Sequence, residues 1–271
     1  MDQRPIGVFD SGSGGLTAVR EIRSILPSEN IIYFGDTSRV PYGSRSAEIL
    51  LRFAKQDVRF LRTFDIKALV VACGTVSTTA LPQLQAENGD LPMRGVVEPS
   101  CRRAAAATRN KRVGLIATAA SVRSGAYERT IAGLDGDITV ISKACPLFVP
   151  LVENGRFRQG DVVIETVARE YLEPLRATGI DTLILGCTHY PLLTEIIADI
   201  MSPGVTLIDS GAAAARVLRQ TLSDRGALAQ RDHGTLTLYA SDRPEDFGAL
   251  AGQFLRRPLE SAVQHVDIER Y

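Results

Sequence analysis

An apolar run that ends abruptly at reactive side chains is the feature that most constrains the fold of this chain. Residues 183–193 read LILGCTHYPLL, in which a short apolar stretch and a glycine precede Cys187, Thr188 and His189. This order is typical of the carboxyl end of a buried parallel strand in α/β proteins, where ligands bind beyond the strand ends. The stretch therefore predicts an α/β fold and makes Cys187 a candidate for chemistry.

A second stretch repeats this order. Residues 68–77 read ALVVACGTVS and carry an apolar run into Cys73, with Thr75 two residues later. A helix predicted from Thr75 would place its amino-terminal amides beside the thiol, and such amides lower the pKa of a cysteine. Two strand-end thiols, each shortly before a threonine, are less expected by chance than one.

The layout of the first half of the chain recurs in the second half. The run RVGLIA at residues 112–117 is similar to the predicted strand at residues 6–10, and a loop of small residues follows each, at 118–125 and 11–17. This recurrence predicts two pseudo-symmetric, doubly wound α/β lobes. We expect mainly parallel central sheets with the active site between the lobes.

No linker or low-complexity run divides the chain, so the lobe boundaries must follow from topology. We place the first lobe at residues 1–99 and 209–271, and the second lobe at residues 100–208. Residues 235–240 are predicted as an edge strand of the first lobe.

Two turns carry further candidate residues. The loop at residues 11–17, SGSGGLT, leads into a helix, and its glycines and helix-start amides favour a close anion such as a carboxylate, although it is neither a Walker A loop nor GxGxxG. From this stretch alone, Asp10 is better explained as a loop or capping carboxylate. Pro41 and Gly43 fix a second turn, which predicts that Tyr42 lies on a loop outside the core.

Charge and hydropathy limit the possible partners. The 271 residues contain 31 Lys and Arg against 31 Asp and Glu, so there is no basic field for nucleic acid or an anionic membrane. The amino terminus has no apolar signal core, and no run reaches the roughly 18 apolar residues that span a bilayer. We therefore expect a cytoplasmic protein with a small-molecule partner.

The cysteines are widely spaced and form no CxxC pair, so neither a disulfide framework nor a metal site is expected. Cys101 and Cys145 are interpreted as small buried residues, which is the usual fate of a free cysteine. The same interpretation is open for Cys73 and Cys187, but the adjoining helix and His189 favour chemistry there. His233 and His265 lie in polar segments and are expected at the surface.

Two thiols that face one cleft could remove a proton from a substrate carbon and return a proton to the same carbon. The sequence contains no cofactor motif. One thiolate would remove a proton from one face of the substrate while the opposing thiol donates from the other face, which inverts the centre. Asp10 and His189 are expected nearby. Hydrogen-bond donors for an anionic intermediate could come from five hydroxyls, namely Ser11, Thr75, Thr118, Ser121 and Thr188.

These residues resemble the glutamate racemase family of the aspartate/glutamate racemase superfamily. The resemblance extends over nearly the whole chain, with matching motifs at residues 7–17, 34–46, 145–155 and 186–193 and at Cys73. It implies a cofactor-independent enzyme that interconverts L- and D-glutamate, with D-glutamate supplied for bacterial peptidoglycan. It also implies a two-lobed α/β fold and a homodimer, with no metal.

The resemblance also implies roles for individual residues. Cys73 and Cys187 would be the two acid/base thiols, with Asp10 assisting the first, His189 assisting the second and Glu153 acting on the His189 side. The implied substrate contacts are Asp10, Ser11, Tyr42, Gly43, Gly74, Thr75, Thr118, Ser121, Thr188 and His189.

This chain departs from the family pattern at two positions. Gly74 stands where the family usually has Asn, and loss of a hydrogen bond to a charged ligand group costs about 1.5–3 kcal/mol unless another group replaces it. Ser121 stands where Thr is usual, which preserves the hydroxyl. The first motif begins at Gly7, so we expect no amino-terminal extension of the kind that some relatives use to bind an activating cell-wall precursor.

Three alternatives stay open on sequence grounds. The first is a racemase for aspartate or another amino acid, the second a non-catalytic carboxylate-binding protein, and the third a one-cysteine lyase or decarboxylase of the same fold. The presence of both Cys73 and Cys187 disfavours the third.

Overall fold

The computed structural model describes residues 1–271 and contains ten strands in two sheets. In chain order the strands are β1 (Ile6–Asp10), β2 (Ile31–Gly35), β3 (Ala68–Val71), β4 (Met93–Gly95), β5 (Arg112–Ala117), β6 (Thr139–Ala144), β7 (Thr182–Leu185), β8 (Thr206–Asp209), β9 (Leu236–Ala240) and β10 (Gln264–His265). The first sheet has the order β10-β9-β2-β1-β3-β4, and the second has the order β6-β5-β7-β8. Every pairing is parallel.

Twelve α-helices connect and cover these strands. They are α1 (Leu16–Ile25), α2 (Ala47–Arg62), α3 (Gly74–Thr79), α4 (Leu81–Glu87), α5 (Val97–Ala107), α6 (Ala119–Ser124), α7 (Ala126–Leu134), α8 (Phe148–Glu153), α9 (Val162–Arg176), α10 (Thr194–Met201), α11 (Ser210–Asp224) and α12 (Pro244–Leu255). Four short 3-10 turns lie at Thr37–Arg39, Tyr42–Ser44, Tyr190–Leu193 and Ile268–Arg270. None of the helices combines the length and apolar character that a membrane span requires.

Two parallel sheets confirm the predicted two-lobed α/β fold. Central strands such as β1 and β3 are buried at every position, as expected where helices cover both faces of a parallel sheet. All strands of the second sheet lie within residues 112–209, and those of the first lie within residues 6–95 and 236–265. The predicted lobe boundaries themselves stay a prediction.

The lobes share hydrophobic core as well as helix contacts. The largest cluster of buried apolar residues contains Val8 from the first sheet and Leu185 from the second. Helix α11, which follows the second sheet, packs on α5, and the Ser210 hydroxyl at its start donates to the Leu185 carbonyl oxygen at 2.8 Å. The two lobes are therefore joined by shared core packing and by contacts of α11.

The predicted edge strand at residues 235–240 is wrong in its position. Strand β9 is bonded to β2 on one side and to β10 on the other, so β10 forms the edge. Because β10 has only two residues, both exposed, it has no apolar alternation that the sequence could reveal.

The small-residue loop predicted at residues 118–125 is mostly helix α6. The Thr118 side chain accepts a hydrogen bond from the Ser121 amide and caps the helix, and Gly125 ends it with a φ of 61°. Similarly, the helix predicted over residues 75–84 is divided into α3 and α4 at Ala80, with Pro82 in the first turn of α4.

The prediction that Tyr42 lies outside the core is wrong. Tyr42 is on a 3-10 turn, as its neighbours Pro41 and Gly43 suggested, but its side chain is buried in a hydrophobic cluster of the first lobe. The ring packs 5.7 Å from that of Phe53 on α2, and the hydroxyl donates to Asp36. A tertiary contact with α2 therefore determines where this side chain points.

Candidate active site

A cavity of about 440 Å³ lies between the strand ends of the two sheets. From the first lobe it is lined by Asp10, Ser11, Val40, Pro41, Tyr42, Gly43, Ser44, Cys73 and Thr75, and from the second by Thr118, Ala119, Cys145, Pro146, Val149, Pro150, Glu153, Thr188 and His189. Parallel strands place their carboxyl ends at one edge of a sheet, and the lobes face each other along these edges. Most of the predicted site residues are therefore brought together.

Cys73 is held in its protonated form by its surroundings. It lies at the start of α3 and is buried, and its thiol donates to Ser11 Oγ at 3.8 Å. Burial raises the pKa of the Cys73 thiol well above its ordinary value, and the negative charge of Asp10 raises it further. The Val76 amide of α3 acts in the opposite direction. The predicted lowering of this pKa by the helix is therefore outweighed by burial.

Asp10 has one oxygen engaged and one oxygen free. Its Oδ2 accepts from the Gly15 amide at 2.7 Å and from Thr188 Oγ1 at 3.4 Å. Its Oδ1 is buried without a hydrogen-bond partner in a side chain that lines the cavity. Since buried polar atoms are rarely left unpaired, Oδ1 is an acceptor available to a bound ligand or to the Cys73 thiol.

Cys187, His189 and Glu153 form a hydrogen-bonded chain. Cys187 Sγ lies 3.8 Å from His189 Nδ1, and His189 Nε2 lies 3.1 Å from Glu153 Oε1. Burial by itself lowers the pKa of His189, but the hydrogen bonds to Cys187 and Glu153 outweigh it and raise the pKa to about 10. His189 is therefore an imidazolium at neutral pH, so a positive charge lies next to the sulfur of Cys187.

The segments that carry the two thiols touch each other. A Cβ built on Gly74 would lie 2.6 Å from the Gly186 carbonyl oxygen, and Thr17 Oγ1 donates to the Thr188 carbonyl oxygen at 2.8 Å. Cys187 itself is buried and does not line the cavity, whose wall at that point is formed by Thr188 and His189. The thiol environments differ in charge, with a carboxylate beside Cys73 and a cation beside Cys187.

The predicted hydroxyl donors divide into two groups. Ser11, Thr75, Thr118 and Thr188 line the cavity, and Thr75 Oγ1 lies 3.2 Å from Thr118 Oγ1 in a hydrogen bond between the lobes. Ser121 is fully buried behind the wall and accepts from Thr118 Oγ1 at 3.0 Å. Gly74 is also buried and lies outside the cavity lining.

Sequence reasoning missed part of the wall. Cys145 is buried, as expected, yet it lines the cavity together with Pro146, Val149 and Pro150 on and before α8. The two prolines around an apolar run were the available signal. Asp36, Arg39 and Asp57 form a buried ion cluster next to Tyr42. Asp36 and Arg39 lie within the motif at residues 34–46, but their pairing with Asp57 on α2 was not predicted.

Other side chains are remote from this cavity. Cys101 is buried on α5, and His233 and His265 are exposed, as expected. No three His, Cys, Asp or Glu side chains lie together in an arrangement that could hold a metal ion. A second cavity, of about 500 Å³, lies between α1 and the segment after α12 and contains none of the predicted site residues.

Comparison with known proteins determines the family. The sequence pattern described as Asp/Glu/Hydantoin racemase matches residues 17–218. A glutamate racemase from Geobacter metallireducens is 45% identical over 267 residues, which cover 97% of each chain. The chain belongs to the Asp/Glu/hydantoin racemase family. It is therefore an amino-acid racemase, an isomerase, and the resemblance read from its motifs is confirmed.

Solved structures of this racemase family have the same fold over the whole chain. Glutamate racemase from Francisella tularensis, solved in complex with D-glutamate, superimposes with a TM-score of 0.92 at 37% identity and covers 100% of both chains. Glutamate racemase from Thermus thermophilus, in complex with β-chloro-D-alanine, gives a TM-score of 0.89 at 44% identity and the same coverage.

Proposed function

We propose that this racemase interconverts L- and D-glutamate without a cofactor, with Cys73 and Cys187 as the two acid/base groups. The observation that carries the proposal is the opposite charge beside the two thiols, one in the cavity wall and one directly behind it. Asp10 and burial keep Cys73 as a thiol, whereas the cation of His189 lies 3.8 Å from Cys187 Sγ. Glutamate as the substrate is supported by the full-length similarity to glutamate racemases.

In the proposed reaction, the Cys187 thiolate removes the α-proton from one face of glutamate, and the Cys73 thiol donates its proton to the opposite face. The reverse reaction starts from the other enantiomer with the two protonation states exchanged. The His189 cation, which is stabilised by its hydrogen bond to Glu153, would offset the negative charge of a Cys187 thiolate, whereas the carboxylate of Asp10 opposes ionisation of Cys73. Asp10 therefore favours proton donation by Cys73.

Asp10 and the cavity hydroxyls are proposed to hold the substrate. The free Oδ1 of Asp10 suits the ammonium group, and the hydroxyls of Ser11, Thr75, Thr118 and Thr188 suit the carboxylates. In this arrangement Thr75 and Thr118 exchange their mutual hydrogen bond for bonds to substrate. The same donors stabilise the negative charge that develops when the α-proton leaves.

The cellular role follows from the product. D-Glutamate would be supplied to bacterial peptidoglycan synthesis by this enzyme, acting as a cytoplasmic homodimer. Each subunit would have two lobes, one formed by residues 1–99 with 209–271 and the other by residues 100–208. Sedimentation equilibrium of the purified protein tests the dimer, and a molecular mass near the monomer value of 29.3 kDa would contradict it.

The activity is tested by circular dichroism of the purified protein with D-glutamate alone, without pyridoxal phosphate. Loss of optical activity, with uptake of solvent deuterium at the α-carbon, is expected. A preference for aspartate would support the alternative substrate, and glutamate binding without deuterium exchange would support a non-catalytic carboxylate-binding protein.

The thiol assignment is tested with Cys73→Ala. We expect loss of racemisation by at least about 10²–10⁴-fold, since a general acid/base group contributes this much. Elimination from one enantiomer of an analogue with a good leaving group should persist, because Cys187 still abstracts a proton. Cys101→Ala, which removes a buried thiol away from the cavity, is the matched control. Full racemisation by Cys73→Ala would contradict the two-thiol mechanism.

A further inference from the structure

One wall of the cavity is a short segment that contains a single 3-10 turn. Residues 40–44, here called the cleft loop, line the cavity from the first lobe. Apart from the bond from the Arg45 amide to the Tyr42 carbonyl oxygen within this turn, no backbone hydrogen bond joins the cleft loop to another part of the protein. Its position therefore depends on side-chain packing, and Tyr42 is the one residue of the loop that is buried.

Arg39, next to the cleft loop, donates hydrogen bonds to three side chains. Arg39 is 8% exposed, and its Nε donates to Asp36 Oδ2 at 2.6 Å. Its Nη2 donates to Asp57 Oδ1 at 2.9 Å, and its Nη1 donates to Gln56 Oε1 at 2.5 Å, both on α2. The guanidinium also lies 4.2 Å from the centre of the Phe53 ring. Charge-assisted hydrogen bonds of this kind are stronger than neutral ones and fix orientation.

Tyr42 connects this cluster to the cavity. Its hydroxyl donates to Asp36 Oδ2 and lies 3.3 Å from Asp57 Oδ2, and the same residue is part of the cavity lining. Asp36 Oδ1 accepts from Ser241 Oγ at 2.9 Å, which ties the same carboxylate to the end of β9. The Tyr42 hydroxyl is thus fully occupied inside the protein.

The members of this cluster depend on one another for charge compensation. Asp36 and Asp57 are completely buried, and Arg39 is the cation that both of them contact. Burial and the charge of Asp36 raise the pKa of Asp57 well above its ordinary value. Removing one member of a buried charge cluster leaves the others unpaired in a medium of low dielectric, so the arrangement of the whole cluster changes.

We propose that Arg39 is a positioning residue for substrate binding: through Asp36, Asp57 and the Tyr42 hydroxyl it fixes the cleft loop against the cavity. The Tyr42 hydroxyl belongs to this cluster and does not bind substrate. The inference rests on the proposed glutamate racemase activity. It concerns binding, so it predicts a change in KM and in the dissociation constant of glutamate more than in kcat.

The test uses Tyr42→Phe, Asp57→Asn and Arg39→Ala. Tyr42→Phe and Asp57→Asn preserve side-chain volume, and each is expected to raise KM and the calorimetric dissociation constant for glutamate about 10-fold, with kcat within about twofold of wild type. Arg39→Ala should give a larger rise, which millimolar guanidinium partly reverses and equal sodium chloride does not. Matched controls are Tyr239→Phe, a tyrosine of the same lobe outside the cavity lining, and Arg59→Ala, an exposed arginine on α2.

A double-mutant cycle distinguishes this role from direct substrate contact. If Tyr42 acts through the cluster, Arg39→Ala with Tyr42→Phe binds glutamate little more weakly than Arg39→Ala alone, because both changes disrupt one network. If the two substitutions instead weaken glutamate binding by factors that multiply in the double variant, the Tyr42 hydroxyl binds substrate and the proposal is overturned. Unchanged glutamate affinity in Asp57→Asn and Tyr42→Phe would also overturn it, even if Arg39→Ala fails to fold.

The two proposals fail separately. A wild-type protein that binds glutamate without racemising it contradicts the proposed activity, while the dissociation constants of the variants still test the cluster. A wild-type protein that racemises glutamate, with variants of unchanged affinity, contradicts the cluster alone.

Discussion

At the scale of single residues, two cysteines with the same sequence surroundings acquire opposite properties. Each follows a buried strand and precedes a threonine, yet Cys73 lies beside Asp10 and Cys187 lies beside His189. Asp10 lies at the end of β1, far from Cys73 in the sequence, whereas His189 lies two residues after Cys187. Local sequence identifies both thiols, and the folded structure places a carboxylate beside Cys73 and a cation beside Cys187.

His189 should titrate far above an ordinary histidine. Its hydrogen bonds to Cys187 and Glu153 raise its pKa to about 10, so Glu153→Gln is expected to lower that pKa. Because the pKa in the folded protein lies above the ordinary value of 6.5, the interaction stabilises the fold fully below about pH 6.5 and is lost as the pH rises through about 10. NMR titration of the ring proton, assigned by its absence in His189→Gln, measures both values.

The control for this titration is Glu170→Gln, which removes an exposed carboxylate from α9. The His189 pKa should be unchanged in that variant. A His189 resonance that titrates near 6.5 in the wild-type protein, or one that Glu153→Gln does not move, would contradict the charge relay from Glu153.

At the scale of elements, a buried ion pair joins segments that are distant in sequence. Lys67, just before β3, has its Nζ 2.6 Å from Glu29 Oε2, and it donates to the carbonyl oxygens of Asp2 and Ala227 at 2.7 and 2.8 Å. Both charged side chains are nearly inaccessible to solvent. One side chain thus ties the amino terminus and the segment after α11 to the first sheet.

Lys67→Met is expected to lower the free energy of unfolding by about 3–5 kcal/mol, because it leaves the Glu29 carboxylate buried without its cation. Urea denaturation measures the change. Lys55→Met removes a solvent-exposed pair with Glu87 and should have a much smaller effect. Equal effects of the two substitutions would show that burial of the first pair has no energetic consequence.

At the scale of the whole molecule, glycine determines how closely the lobes approach. The Gly74 backbone lies against the Gly186 carbonyl, and these residues adjoin the two thiols. Sequence comparison drew attention to Gly74 as a missing substrate contact. In this chain its lack of a Cβ has a second consequence, since a side chain here would collide with backbone of the other lobe unless the two segments lay farther apart, as relatives with Asn at this position require.

Gly74→Ala is therefore expected to separate the thiol-bearing segments and to reduce racemisation about 10²-fold, the scale of loss from a misplacement near 1 Å. The new Cβ would lie 2.6 Å from the Gly186 carbonyl oxygen, which is a backbone atom and cannot move aside as the end of a flexible side chain could. Gly133→Ala on α7, where a Cβ meets nothing within 4 Å, is the control. Wild-type racemisation by Gly74→Ala would show that the lobes adjust without affecting the thiols.

Much of the fold could be predicted because its central strands are continuous apolar runs. Residues 68–71 and 182–185 are buried on both faces, so composition alone identifies them as strands of a parallel sheet. Elements that depend on a single cap or on pairing with a distant strand were missed, such as α6 and β10. Their local sequences carry too few apolar positions to show a period.

The sequence by itself determined the fold class, the two strand-end thiols and the resemblance to a racemase family, because each of these depends on residue types in a local order. Tertiary structure alone decided that burial outweighs the helix amides at Cys73, that Tyr42 is buried on the Arg39 cluster and that Gly74 approaches Gly186. These properties depend on distances between residues far apart in the chain. Such distances exist only after the two lobes have packed together.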